Sequence, residues 1–516
     1  MVLLILSGLT MPAVFADTAS DLSAASKHYS SEFVSGESYD IAVLRLAIEE
    51  LRHNTVKTEK ASDPAEWAKT KHMLGVMLRT FQEQAVAVNP HGNTAPENTL
   101  PDQPVQICKS CQLLLNESLT AFRAALEIRT EKIAPEEWAE TQVETGRTLL
   151  ALGDLESDIE RMKEAESALH DVLRVYGKQK NPKLWSEVQM LLGETLQKLG
   201  TRLPANAGGE YFKKSVDAYQ EALKVYPPES ENWSAIQNNL GNALFSLNSH
   251  DGNKKHLQRA VTAYRVAIEA TNRDTKSWNW AGIQNNLGNV LQTMGRQGNN
   301  KTYLKEAASA YRAALTIRTK ESDVEIWAGT QNNLAVTLRI LGALESGSAS
   351  SEYLNEAVSV YRTLIEFTER EQTIMRQAIT LMDMSDALYL WGRNEKDVAK
   401  LEEAIDANLK GINMLAGELP QFIGTLSAKT GTDKVSNEIP PMLWASFLID
   451  FADRLYGSAK ILGSGTRWLN EAETIYQRVW NLYIQAGSGA TRFNIMSLEI
   501  KQEEVKKLLK KRQAAQ

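Results

Sequence analysis

The chain has 516 residues, 43% hydrophobic and 23% charged, an ordinary globular composition. Its 57 Lys plus Arg stand against 64 Asp plus Glu, a formal net charge of −7, so the whole protein has no electrostatic drive onto nucleic acid or anionic lipid. Mean hydropathy is −0.33, and no internal apolar run approaches the roughly 18 residues that a membrane helix needs.

In chain order, residues 1–16 come first. Val2-Leu3-Leu4-Ile5-Leu6 opens an apolar stretch, Pro12 breaks it, and Val14-Phe15-Ala16 ends on a small residue before Asp17. That layout predicts a secretory signal cleaved after Ala16, and hence a periplasmic or secreted protein with no integral membrane span after signal removal. No Lys or Arg precedes the apolar run, so either the amino terminus supplies the positive charge or the true start lies upstream of Met1. Residues 17–66 read as a partial repeat.

From Trp67 onward one pattern organises the sequence. Trp138, Trp185, Trp233, Trp280 and Trp327 are separated by 47, 48, 47 and 47 residues. Four residues after each stands a glutamine: Gln142, Gln189, Gln237, Gln284 and Gln331. Trp67 begins a weaker copy upstream, Gln377 takes the Trp place downstream, and Trp444 opens a last copy. The copies predict eight long hairpins over 67–485, closed by a capping helix over 486–516. Within a copy, Trp233, Leu240, Leu244 and Leu247 make one stripe of a first helix, and Leu257, Ala260, Ala263, Tyr264 and Ala267 make one stripe of a second. Asp63-Pro64-x-Glu66 and Asn181-Pro182 place a capping side chain before Pro at a helix start. Gly153, Gly200, Gly295, Gly342 and Gly392 are expected to stop the first helices in a left-handed conformation. A single hairpin cannot bury both faces, so neighbours must stack.

Leu240-Gly241 followed by Ala260-x-x-x-Tyr264-x-x-Ala267 resembles the tetratricopeptide repeat. The same frame fits Leu192-Gly193 with Ser215, Tyr219 and Ala222, and Leu287-Gly288 with Ala307, Tyr311 and Ala314. The family period is about 34 residues, so this is a long-period variant with a lengthened first helix. The Gln-Asn-Asn-Leu-Gly run is also similar to repeats of the kinesin light chain type. The resemblance implies an all-α, right-handed α-solenoid of stacked helix-turn-helix repeats.

Two segments interrupt the pattern. Residues 84–107 carry Pro90, Pro96, Pro101 and Pro104 and read as an exposed insertion; residues 413–443, closed by Pro440-Pro441, read as a second. Cys108 and Cys111, the only cysteines, follow the first insertion and are candidates for a local disulfide in an exported chain. Haem attachment would need His after the second Cys, where Gln112 stands, and no His-x-x-x-His pair completes a zinc site. Gly424-Thr-Leu-Ser-Ala-Lys429-Thr430 is one residue short of a phosphate loop and has Ala428 where its second Gly belongs. Glu306 and Glu356 follow the repeat and read as solvated helix face. From Lys501 to Arg512 the tail has six basic residues against two acidic, a solvated cap on the last hairpin or a phosphate- or lipid-contacting tail. Nothing argues for an active site, a metal or a cofactor.

What remains is a row of amides. Asn238 and Asn242 lie four apart on one helical face, as do Asn285 and Asn289, and Asn332 continues the row before Val336 ends it. The resemblance implies that these positions face a concave groove. An amide both donates and accepts, so such a row can pair with the main chain of an extended peptide. Equally, the amides can bond one another between repeats, a role expected above all of Asn239, Asn286 and Asn333. The function expected is a non-catalytic scaffold binding a protein or peptide segment; a small-ligand or glycan binder is the alternative, and no nucleic-acid partner is expected.

Overall fold

The computed structural model describes residues 39–57, 60–88, 109–228, 230–274, 277–370, 373–428, 441–462, 466–486 and 492–513. The signal expected at 1–16 lies outside them. The chain divides into two compact units, Met1–Tyr226 and Pro227–Gln516.

In the first unit, α1 (Tyr39–Lys57) precedes α2 (Pro64–Val88) and α3 (Lys109–Leu126), α4 (Pro135–Glu156) and α5 (Ile159–Val175), and α6 (Pro182–Arg202) and α7 (Ala205–Ala222). The second unit pairs α8 (Glu231–Asp251) with α9 (Lys254–Ala270), α10 (Ser277–Gly298) with α11 (Lys301–Leu315), and α12 (Val324–Leu344) with α13 (Gly347–Arg370). It continues with α14 (Ile374–Glu395) and α15 (Val398–Ala428), then α16 (Pro441–Leu462) and α17 (Thr466–Ala486), and ends on α18 (Arg492–Gln513). The fold class is an all-α helical-repeat solenoid, and within each unit consecutive hairpins stack.

Helix starts follow the capping residues. Asp63 accepts from the Glu66 amide at 3.1 Å, and Asn181 from the Leu184 amide at 3.1 Å. The stops differ from expectation. Gly153, Gly200, Gly295, Gly342 and Gly392 all lie inside their helices, and the left-handed residues among the described ones are Ser157, Gly252, Asn299, Gly347 and Lys396. The helical glycines serve close approach instead. A Cβ at Gly295 would stand 2.5 Å from Leu304 Cγ, and one at Gly153 2.7 Å from Met162 Cγ, so each marks where the returning helix crosses. The segment 413–443, expected as an interruption, is helical as far as Ala428, where α15 simply runs on; 429–440 lies outside the described residues.

The core is one motif repeated. Tyr219, Tyr264 and Tyr311 are buried and lie against Gly193, Gly241 and Gly288 of the preceding helix, where any Cβ would fall within 3 Å of the ring. Ala260, Ala267, Ala307 and Ala314 are fully buried on the same faces. The tetratricopeptide frame is therefore the packing frame: small residue, aromatic, small residue against Leu-Gly. On the outer helices, Arg265 pairs with Glu306 at 2.7 Å, Arg312 with Glu356 at 2.7 Å and Arg362 with Glu403 at 2.6 Å, each one repeat on. Glu306 and Glu356 are thus inter-repeat ion pairs and not merely a solvated face. In the first unit Arg52–Glu117 and Arg123–Glu164 follow the same rule. At the tail, Leu498, Val505 and Leu509 of α18 are buried in the core that Phe451, Leu455 and Tyr476 form.

Candidate functional site

The amide row lies on α8, α10 and α12, the first helices of three successive hairpins in the second unit. Their spacing of nearly one period brings equivalent side chains beside one another. Asn286 Nδ2 donates to Asn238 Oδ1 at 3.2 Å and to Asn242 Oδ1 at 3.3 Å. One repeat on, Asn333 Nδ2 donates to Asn285 Oδ1 at 3.4 Å and to Asn289 Oδ1 at 3.2 Å. Asn239, by contrast, stays local: its Oδ1 accepts from Asn238 Nδ2 at 3.2 Å.

A second set of bonds, absent from the sequence reading, anchors the same row from below. The Tyr264 hydroxyl donates to Asn242 Oδ1 at 2.6 Å, and the Tyr311 hydroxyl to Asn289 Oδ1 at 2.7 Å. Asp453 takes the same place in α16 and accepts from the Tyr476 hydroxyl. The signal was in the text: each acceptor precedes its tyrosine by 22 or 23 residues. Where the row ends, Val336 offers no acceptor, and the buried Tyr361 hydroxyl, which lies beside Arg339, has no acceptor for its proton.

Asn242 and Asn289 therefore hold the fold through their oxygens while their Nδ2 groups remain uncommitted. Asn285 likewise gives up only its oxygen, and the Asn332 side chain makes no hydrogen bond with any described residue. All five, with Asn238, are half-buried, so their spare donors reach solvent. Gln292 extends the polar strip, donating to Thr337 Oγ1 at 2.7 Å. Beyond it the strip turns from amide to charge: Arg339 meets Asp386 at 3.2 Å, and Arg454 meets the same carboxylate. Burial pushes the neighbouring Asp383 carboxyl up against the opposing pull of Arg339.

The repeated tryptophans lie at the entrances of the hairpins. Trp138 and Trp327 are buried, and a cation seven residues upstream covers several of the others: Lys178 lies 5.5 Å from the Trp185 ring centroid and Arg273 4.7 Å from that of Trp280. Cys111 is buried in the first turn of α3 and is not a free thiol; Cys108 lies outside the described residues. Among the described residues no group of His, Cys, Asp and Glu is placed to hold a metal ion, and no helix is long and apolar enough to cross a membrane.

These packing contacts decide the character of the repeat. It is tetratricopeptide-like. No family model and no curated protein matches the chain. Similar solved structures include BtubC (BKLC) from P. vanneervenii, 19% identical, covering 49% of this chain and 90% of that one with a TM-score of 0.35. The Rap protein complexed with Competence and Sporulation Factor is 14% identical, over 86% of this chain and 98% of that one, with a TM-score of 0.34. A circular tandem repeat protein of novel repeat topology is 16% identical, over 86% and 97%, with a TM-score of 0.28. At these scores the likenesses carry no functional argument, and the assignment rests on the repeat itself.

Proposed function

We propose that the protein is a non-catalytic scaffold whose amide strip on α8, α10 and α12 binds an extended segment of a partner protein. The observation that carries this reading is the division of labour within each amide. The oxygens of Asn242, Asn285 and Asn289 are held by Tyr264, Asn333 and Tyr311, which fixes the side chains, while their N–H groups have no partner among the described residues. Fixed, half-exposed donors repeated at one-period spacing suit the carbonyls of an extended main chain, and their ordering entropy is already spent. The glycan reading has less support, because Trp138 and Trp327 are buried and Trp67, Trp185 and Trp280 are covered by cations.

The test is binding of the full chain to arrayed peptides, beside a triple variant Asn238→Ala, Asn285→Ala, Asn332→Ala. None of these three bonds a buried tyrosine, so melting should stay near the parent while binding is lost. Equal binding by a folded variant would move the site off the strip. We further propose that residues 1–16 direct export and that Cys108 and Cys111 pair in the oxidising compartment. A mature amino terminus at Asp17 in protein from the native host would support the export reading, and a retained Met1 would sink it.

A further inference from the structure

Two repeats carry the same arginine with opposite surroundings. Arg129 Nη1 donates to Thr141 Oγ1 at 3.2 Å, and Arg318 Nη1 donates to Thr330 Oγ1 at 3.2 Å, both across 12 residues of sequence. On the helix that faces Arg129, Glu137 and Glu140 supply the compensating charge. The residues in the same register beside Arg318 are Ile326 and Gly329. Asp323 is the one carboxylate whose charge acts on Arg318, and that side chain is engaged in capping α12 through the Ile326 amide at 3.0 Å. Glu321 is held by its own backbone and Thr319, and Glu325 is taken by Arg376. Arg318 makes no ion pair with any described residue, and its Nε is buried without a hydrogen-bond partner.

The space around this guanidinium is open on one side. A Cβ built on Gly329 meets nothing within 4 Å, and one on Gly282 meets only Arg318 Nη2, at 3.3 Å. Packing therefore does not require either glycine, although each is a poorer helix former than Ala. Trp278, 38% exposed, stands with its ring centroid 5.9 Å from the guanidinium. Gly282 and Gly329 precede Asn285 and Asn332 by three residues, which puts them on the same helical stripe as the amide strip.

We propose that Arg318 is the anion seat of the peptide groove. A carboxylate of the bound segment, from an acidic side chain or from a chain terminus, supplies over Gly329 the charge that Glu140 supplies to Arg129, and Trp278 flanks it. This rests on the peptide-binding reading above and narrows its partner to one that presents a carboxylate.

The experiment is full-chain binding to random peptide arrays made with free and with amidated carboxyl termini, for the parent, Arg318→Gln and Gly329→Glu. The parent should select Asp or Glu at a defined position, or require the free terminus; amidation separates these two sources. Arg318→Gln should weaken the selected peptides about tenfold or more, the worth of one charge-assisted bond. Gly329→Glu should do the same with an unchanged or higher melting temperature, because it installs the internal carboxylate that Arg129 already has. Peptides bound without any carboxylate preference would overturn the anion seat and leave the groove standing. Unchanged affinity in both folded variants would overturn it as well. No peptide binding at all would overturn both readings.

Discussion

Asn289 shows how one side chain can hold the fold and still present a spare donor. Its oxygen accepts from the Tyr311 hydroxyl and from Asn333, while its amino group is spare. Asn289→Ala would leave a buried hydroxyl unpaired and should cost about 1–3 kcal/mol by chemical denaturation. Adding Tyr311→Phe to that variant should recover part of the loss, whereas a purely surface role for Asn289 would show neither effect. The converse test is Val336→Asn. The buried Tyr361 hydroxyl has no acceptor for its proton because Val336 stands where α8 and α10 have Asn242 and Asn289. Supplying that amide should stabilise the protein by about 0.5–1.5 kcal/mol.

His72 belongs to the same scale. Burial, with Arg129 adding to it and Glu144 opposing, pushes its imidazole down to about 4; it lies 3.1 Å from Thr141 Oγ1 and against the Phe122 ring. The unfolded chain then binds the proton more readily between about 4 and 6.5, so this residue lowers stability as pH falls through that window and adds nothing further below it. His72→Gln should flatten the acid limb of the stability curve between those values; an identical limb would show that the acid sensitivity lies in other groups.

At the scale of the helix, glycines separate by what their missing Cβ would meet. Gly241→Ala would bring a methyl to 2.6 Å from the Tyr264 ring and should lower the melting temperature markedly, since backbone or ring must shift. Gly329→Ala meets nothing within 4 Å and should raise stability by about 0.5–1 kcal/mol through helix propensity alone. Gly241 belongs to the repeated Leu-Gly pair, and Gly329 does not. Helix existence and the facing stripes were legible, because Trp, Leu, Ala and Tyr recur at helical steps. Where each first helix ends was not. Gly295 and Gly342 are C-terminal in pattern, yet the chain continues helically past both, because the second helix needs the gap they leave. The amide row was legible as a row. Its bonds to Tyr264 and Tyr311 join different helices, and no single-helix periodicity contains them.

At the scale of the molecule, stability is carried from neighbour to neighbour. Within each unit consecutive hairpins pack on one another, and the Arg–Glu pairs link adjacent repeats. Those pairs are exposed, so Arg312→Ala should cost no more than about 1 kcal/mol, and less at high salt. Because the coupling is local, Asn289→Ala should raise amide hydrogen exchange in α8 to α13 and leave α16 to α18 near the parent. Uniform acceleration throughout the second unit would mean that it unfolds as one cooperative block.

The amino-acid sequence by itself determined the all-α class, the period, the stacking of hairpins and the stripe on which the amides lie. Each of these follows from residue spacing along one helix, where geometry is fixed by the backbone. The tertiary structure alone decided which amide atoms are spent, why Gly295 is not a helix stop, and that Arg318 lacks the counter-charge of Arg129. Those properties depend on which side chains from separate helices come within a few ångströms, and spacing along the chain does not encode that proximity.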